Sequence, residues 1–62
     1  RQKGISDIIA LRDGRFWAIE VKTEKGKVSE HQQVFLDRVN ELGGIGIVAK
    51  NIEDIILKQK EI

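Results

Sequence analysis

Two carboxylates and an amine in this chain are spaced to meet on one small patch. Asp7 precedes the dipeptide Asp13-Gly14, and Glu20-Val21-Lys22 follows it. Asp-Gly favours a two-residue type I′ β-turn. With Asp13 and Gly14 as the turn residues, Arg12 faces Arg15, Leu11 faces Phe16, Ile9 faces Ala18 and Asp7 faces Glu20. Directly opposed residues share a face of the sheet with Cβ atoms ~4.5–5.5 Å apart, and Lys22, two residues past Glu20, shares that face as well. Like charges placed opposite each other weaken a hairpin. A bound divalent cation would offset the conflict.

The chemistry open to such a patch is phosphodiester cleavage. Asp7 and Glu20 are oxygen ligands suited to Mg²⁺ or Mn²⁺, and the backbone carbonyl of Val21 could add a third oxygen. Such an ion generates hydroxide from water and stabilises charge on a phosphate. Lys22 could orient or deprotonate the attacking water, or neutralise developing charge.

The elements that must position these groups follow from apolar spacing. Residues 5–11 read as a strand, 12–15 as the turn and 16–22 as a second strand. On that second strand Trp17, Ile19 and Val21 make a wholly apolar side, expected to pack against helices. Phe16, Ala18, Glu20 and Lys22 make a side that turns polar away from the turn, as at the mouth of a partly covered sheet. After a polar loop over 23–28, Ser29-Glu30-His31-Gln32 matches the capping box of a helix start. Phe35, Leu36, Val39 and Leu42 form its expected buried stripe, and Gly43-Gly44 ends it. Ile45–Ala49 reads as a third strand. Asn51 can cap a last helix, with Asp54 three residues on and Ile52, Ile55 and Ile56 as its inner face. The order β-β-α-β-α, with a right-handed crossover between the second and third strands, predicts a small mixed sheet flanked by helices in an α/β fold.

Composition narrows the options further. The chain has 62 residues and no cysteine, so disulfides and thiolate metal sites are excluded. Its single histidine excludes a multi-histidine zinc site within one chain. One domain over 1–62 is expected, with a core small enough that pairing with a second copy would help hold it together. No apolar run approaches the ~20 residues of a membrane span, and the polar N-terminus carries no signal peptide, so an intracellular or cytoplasmic protein of phage or bacterial type is expected. Net charge is +1, but residues 1–27 hold seven Lys/Arg against four Asp/Glu. That basic half suits a polyanion such as nucleic acid.

Three segments carry a family resemblance: Lys3-Gly4-Ile5-Ser6-Asp7-Ile8-Ile9-Ala10-Leu11, then Ala18-Ile19-Glu20-Val21-Lys22-Thr23, then Gly26-Lys27-Val28-Ser29-Glu30-His31-Gln32-Gln33-Val34-Phe35-Leu36. Together they resemble the VRR-NUC domain of the PD-(D/E)xK nuclease superfamily, which has the restriction-endonuclease-like fold. The likeness runs from about Lys3 to Ala49. It implies metal-dependent endonucleolytic cleavage of DNA, often branched DNA such as Holliday junctions or flaps, by a homodimer. It further implies Asp7 and Glu20 as metal ligands, Lys22 as the catalytic lysine, and Gln32 as the helix glutamine that supports the active site. Lys3, Lys25, Lys27 and Ser29 lie where DNA contacts would fall. Ser6 stands where the family has proline. The sequence begins six residues before Asp7, so the family's usual N-terminal helix, with its further acidic residue, is not expected within it, either because the domain is truncated at its N-terminus or because the helix has been lost.

Other readings stay open at this level. The chain could be a non-catalytic DNA-binding module of the same fold, or a structural or interaction domain with a solvated charged patch. Asp7 could cap a loop, and Glu20 and Lys22 could form a diagonal surface pair. Gln32 could serve only as the capping partner of Ser29. Trp17 reads as a core or dimer contact, and His31 as an exposed helix residue.

Overall fold

The computed structural model describes residues 7–22 and 26–62. Its elements run β1 (Ile8–Arg12), β2 (Arg15–Val21), α1 (Glu30–Glu41), β3 (Ile45–Ala49) and α2 (Ile52–Glu61). The sheet order is β1-β2-β3, with β1 antiparallel to β2 and β2 parallel to β3. This is a small α/β fold with a mixed sheet, in the order read from the sequence and consistent with a restriction-endonuclease-like core.

The hairpin register follows from its turn. Asp13 and Gly14 both adopt positive φ, 51° and 77°, as a type I′ turn requires. The paired residues then run from Arg12 opposite Arg15 to Ile8 opposite Ile19, as the turn chemistry predicts. The first strand is shorter than expected. It begins at Ile8, Asp7 lies just before it, and the expected start at 5–6 lies outside the described residues.

A helix covers each face of the sheet. Ala18, Leu36 and Val39 are buried together with Phe35 packed against them, which sets α1 on one side. Trp17, Ile19, Ile45 and Ala49 form the core on the other side, with Ile47 and Ile55 against them, which sets α2 there. The polar-ended side of β2 is therefore covered at Ala18 and Glu20, and it is Phe16, nearer the turn, that is exposed. The sequence pattern misleads at three further points. Leu42 is 70% exposed, because it is the C-cap of α1 and falls past the helical stripe. Ile52 and Ile56 are exposed, since only Ile55 of α2 reaches the core. Val21 on the apolar side is exposed too.

The path from α1 into β3 is closely packed. A Cβ on Gly46 would stand 2.5 Å from the Leu36 carbonyl oxygen, so only glycine lets the helix backbone rest on β3. Asn40 then clips the strand. Its Nδ2 donates to Gly46 O at 3.0 Å and its Oδ1 accepts from Gly46 N–H at 2.8 Å. This side-chain amide fills part of the outer edge of β3, one way that proteins protect sheet edges.

At its start α1 carries the full capping box. Ser29 Oγ accepts from Gln32 N–H at 3.1 Å, and Gln32 Oε1 accepts from Ser29 N–H at 3.0 Å. The start of α2 is capped in a related way. Asn51 Oδ1 accepts from Asp54 N–H at 3.0 Å, and Asp54 Oδ2 accepts from Lys50 N–H at 2.8 Å.

Candidate active site

The far end of β2 is tied from both sides. Asp7 Oδ2 accepts from Val21 N–H at 3.1 Å, so the Asp7 carboxylate takes a backbone donor at the edge where the β1 ladder has ended. The next residue turns the other way, and Lys22 N–H donates to Ala49 O of β3 at 3.0 Å. Alternation along a strand sends successive backbone groups to opposite neighbours. The Val21-Lys22 unit is thus fixed between Asp7 and β3. The ladder pairs end at Ile8–Ile19, and Asp7, just before them, meets β2 through Val21 N–H.

Glu20 is 0% exposed, although it is a carboxylate in a small domain. Strand alternation puts it on the α1 face, two residues past Ala18. In α1, Gln32 is one helical turn before Leu36, the residue buried beside Ala18. Two strand residues advance ~6.6 Å and one helical turn ~5.4 Å. Glu20 and Gln32 therefore come to the same level between sheet and helix, and both are buried. A carboxylate is favoured near a helix N-terminus by the partial positive charge there. Lys22 supplies a full one, with Nζ 3.4 Å from Glu20 Oε2 and its side chain 24% exposed. A surface-pair reading of Glu20 and Lys22 does not fit a carboxylate that is completely covered.

Gln32 is engaged through its oxygen by Ser29, a bond that does not use its two Nε2 protons. Ser29 gives its oxygen to Gln32 N–H, a bond that does not use the hydroxyl proton. Lys27 is exposed in the loop before α1. Lys3 and Lys25 lie outside the described residues. His31 is exposed, and Trp17 is buried in the α2-side core, as expected for a packing residue.

The donor set bears on which metal could sit here. Among the described residues, no group of three or more His, Cys, Asp or Glu could hold a metal ion, so a closed four-ligand zinc site does not fit. Two carboxylates and a carbonyl, from Asp7, Glu20 and Val21, do fit Mg²⁺ or Mn²⁺. Magnesium typically keeps several waters and binds through one or two carboxylates plus substrate phosphates.

Sequence reading missed two contributors. Val48 is the β3 partner of Glu20 and flanks it in the sheet. Asn40 fixes the strand that carries Val48. Neither has a motif, and both emerge only from the parallel β2–β3 pairing. No helix among the described residues is long and apolar enough to cross a membrane.

The family model described as the VRR-NUC domain matches residues 1–51, a span that contains Asp7, Glu20, Lys22, Ser29 and Gln32. No curated protein and no solved structure matches the chain.

Proposed function

The chain belongs to the VRR-NUC domain family, a family of nuclease-type DNA-processing modules, and we propose that it is a Mg²⁺- or Mn²⁺-dependent DNA endonuclease whose active site is the Asp7–Glu20–Lys22 patch. The observation that carries this reading is the wholly buried Glu20 carboxylate, set beside the Lys22 ammonium at the strand end that Asp7 ties down. A fold keeps a buried charge at a cost of several kcal/mol unless it is well compensated, and a catalytic role gives a reason to keep it.

Asp7, Glu20 and the Val21 carbonyl would hold the divalent ion, which when bound supplies Lewis acidity and lowers the pKa of a coordinated water. Lys22 does its work as an ammonium with three N–H donors. It orients the attacking water or donates to a phosphate oxygen, offsetting the negative charge that builds on the phosphoryl group. Gln32, buried on the same face, would support Glu20, while its oxygen keeps the helix start closed. Lys27, with Lys3, Lys25 and Ser29, would contact backbone phosphates and so set the position of the strand without reading its sequence.

The substrate proposed is branched or structured DNA, such as Holliday junctions or flaps, cut by a homodimer. β1 supports the pairing. Every residue of this edge strand is exposed, including Ile8, Ile9 and Leu11. An apolar edge strand of this kind is a template for pairing with another chain.

A second reading is a DNA-binding module that keeps the fold and does not cut. It is favoured by the carboxylate count, since only Asp7 and Glu20 converge at the patch and no three-residue acidic cluster is present among the described residues.

Labelled Holliday-junction, flap, single-stranded and duplex DNA, each incubated with Mg²⁺ or Mn²⁺, separate the two. Metal-dependent cutting that prefers a branched substrate and disappears in Lys22→Ala supports the nuclease. Salt-sensitive binding without cutting at any metal concentration supports the binding module.

A further inference from the structure

The tip of the hairpin carries a second charged site, remote from the patch. Arg12 and Arg15 flank the turn and are direct cross-strand partners, so both side chains leave the same face of the sheet. That face is the one of Trp17 and α2, opposite to the face of Glu20. Five residue steps along β2 separate Arg15 from Glu20, about 17 Å of strand. Like charges directly opposed weaken a hairpin, and the Asp13-Gly14 turn makes no demand for arginine at either flank.

The two arginines line a cavity of about 300 Å³ together with Asp13, Trp17, Gln59 and Ile62. The C-terminal end of α2 braces one of them. In the amide orientation that satisfies both groups, Gln59 Oε1 accepts from Arg12 Nε at 3.0 Å and from Arg12 Nη1 as well. Gln59 is neutral, so this bond orients the guanidinium and leaves its charge in place. Asp13 offsets that charge only weakly, at 3.5 Å from Arg12 Nε with both side chains well exposed to water. A guanidinium has five N–H donors in a rigid fork, and only part of that set is spent on Gln59. Two such forks on one cavity match an anion with several oxygens on a single atom, which each fork can hold bidentately.

We propose that Arg12 and Arg15 form a phosphate-binding fork at the hairpin tip, taking a phosphate group of a nucleic-acid strand or free phosphate. It stands apart from the nuclease reading, because it needs neither the metal nor the Asp7–Glu20–Lys22 patch.

Trp17 lines this cavity and is the chain's single tryptophan, so its fluorescence reports occupancy without any activity. The full chain, free of divalent ions, is titrated with inorganic phosphate, with a thymidine dinucleotide carrying one phosphodiester, and with sodium chloride at matched ionic strength. The expected result is a saturable change with a phosphate ligand and none with chloride. Apparent affinity falls at least fivefold in Arg12→Gln and in Arg15→Gln, and Arg15→Lys, which keeps the charge without the fork, lies between. Tighter binding of the dinucleotide assigns the fork to nucleic acid, and tighter binding of inorganic phosphate assigns it to the free anion. Melting curves guard against misfolding. Phosphate should raise the wild-type melting temperature and raise that of folded Arg15→Gln less at the same concentration. Absence of a saturable change in the wild type, or a phosphate response that survives both glutamine variants, overturns the proposal.

Discussion

Lys22 Nζ stands 3.4 Å from Glu20 Oε2, joining a partly shielded ammonium to a carboxylate that no solvent reaches. The two residues make unequal demands on stability. Removing the cation takes away the counter-charge that Lys22 supplies to a buried Glu20, whereas removing the anion leaves Lys22 able to reach water. Lys22→Ala should therefore destabilise the domain by about 1–3 kcal/mol, and Glu20→Gln should be neutral or stabilising. The double variant should recover much of the loss, as expected for residues in direct contact. Thermal denaturation of the four proteins without metal measures this, and a Glu20→Gln protein less stable than Lys22→Ala would refute it.

The helix cap offers a way to separate two roles of one side chain. Ser29→Ala removes the oxygen that accepts from Gln32 N–H and should cost ~1 kcal/mol, with DNA cleavage by the folded protein largely intact. Gln32→Ala loses the reciprocal bond to Ser29 N–H and also the buried amide proposed to support Glu20. Its cleavage rate should fall well below that of Ser29→Ala at similar stability. Equal rates for the two variants would reduce Gln32 to a capping residue.

Gly46 sets how closely α1 approaches the sheet. Gly46→Ala places a methyl group 2.5 Å from the Leu36 carbonyl oxygen, and backbone must move to admit it. The cost should be about 1–3 kcal/mol, in the range for overpacked cores. Because Gln32 is one turn from Leu36, the shift should carry to the patch and lower cleavage as well. Urea denaturation and a cleavage assay on the same sample test both halves, and a variant as stable and as active as the wild type would contradict this packing.

Pairing through β1 makes its own prediction. Leu11 is 76% exposed and is the next-to-last residue of the edge strand. If two copies join there, Leu11→Lys sets like charges into the shared edge and should yield a monomer by size-exclusion chromatography with light scattering. A wild-type monomer, or a dimer indifferent to Leu11→Lys, would rule out this interface.

The parts of the fold governed by local chemistry could be read directly from the chain. Asp13-Gly14 dictates the hairpin register, from Arg12 opposite Arg15 to Ile8 opposite Ile19. Ser29 with Gln32, and Asn51 with Asp54, mark the two helix starts. What could not be read depends on contacts between distant segments. Leu42 keeps helical spacing but falls at the cap, and Ile52 and Ile56 have the right period on a helix that touches the sheet chiefly through Ile55. The complete burial of Glu20 arises because Gly46 lets α1 sit close enough to cover the sheet end. A strand pattern that turns polar at its end suggested an open mouth there. The meeting of Arg12 with Gln59 likewise joins the hairpin tip to the end of the chain, a contact with no trace in either local pattern.

The central claim is that Glu20 belongs to a metal-dependent hydrolytic site, and the most direct test is the single-turnover cleavage rate of Glu20→Gln against the wild type on the preferred branched DNA, in Mg²⁺ and in Mn²⁺. Glutamine keeps the size of the side chain and should keep the fold, as circular dichroism would verify. The account predicts metal-dependent cutting by the wild type and a loss of at least about a hundredfold in the variant, of the order that removal of a group acting on the transition state produces. A folded Glu20→Gln protein that cuts at the wild-type rate, or a wild type that binds the junction and never cuts it, would contradict the claim.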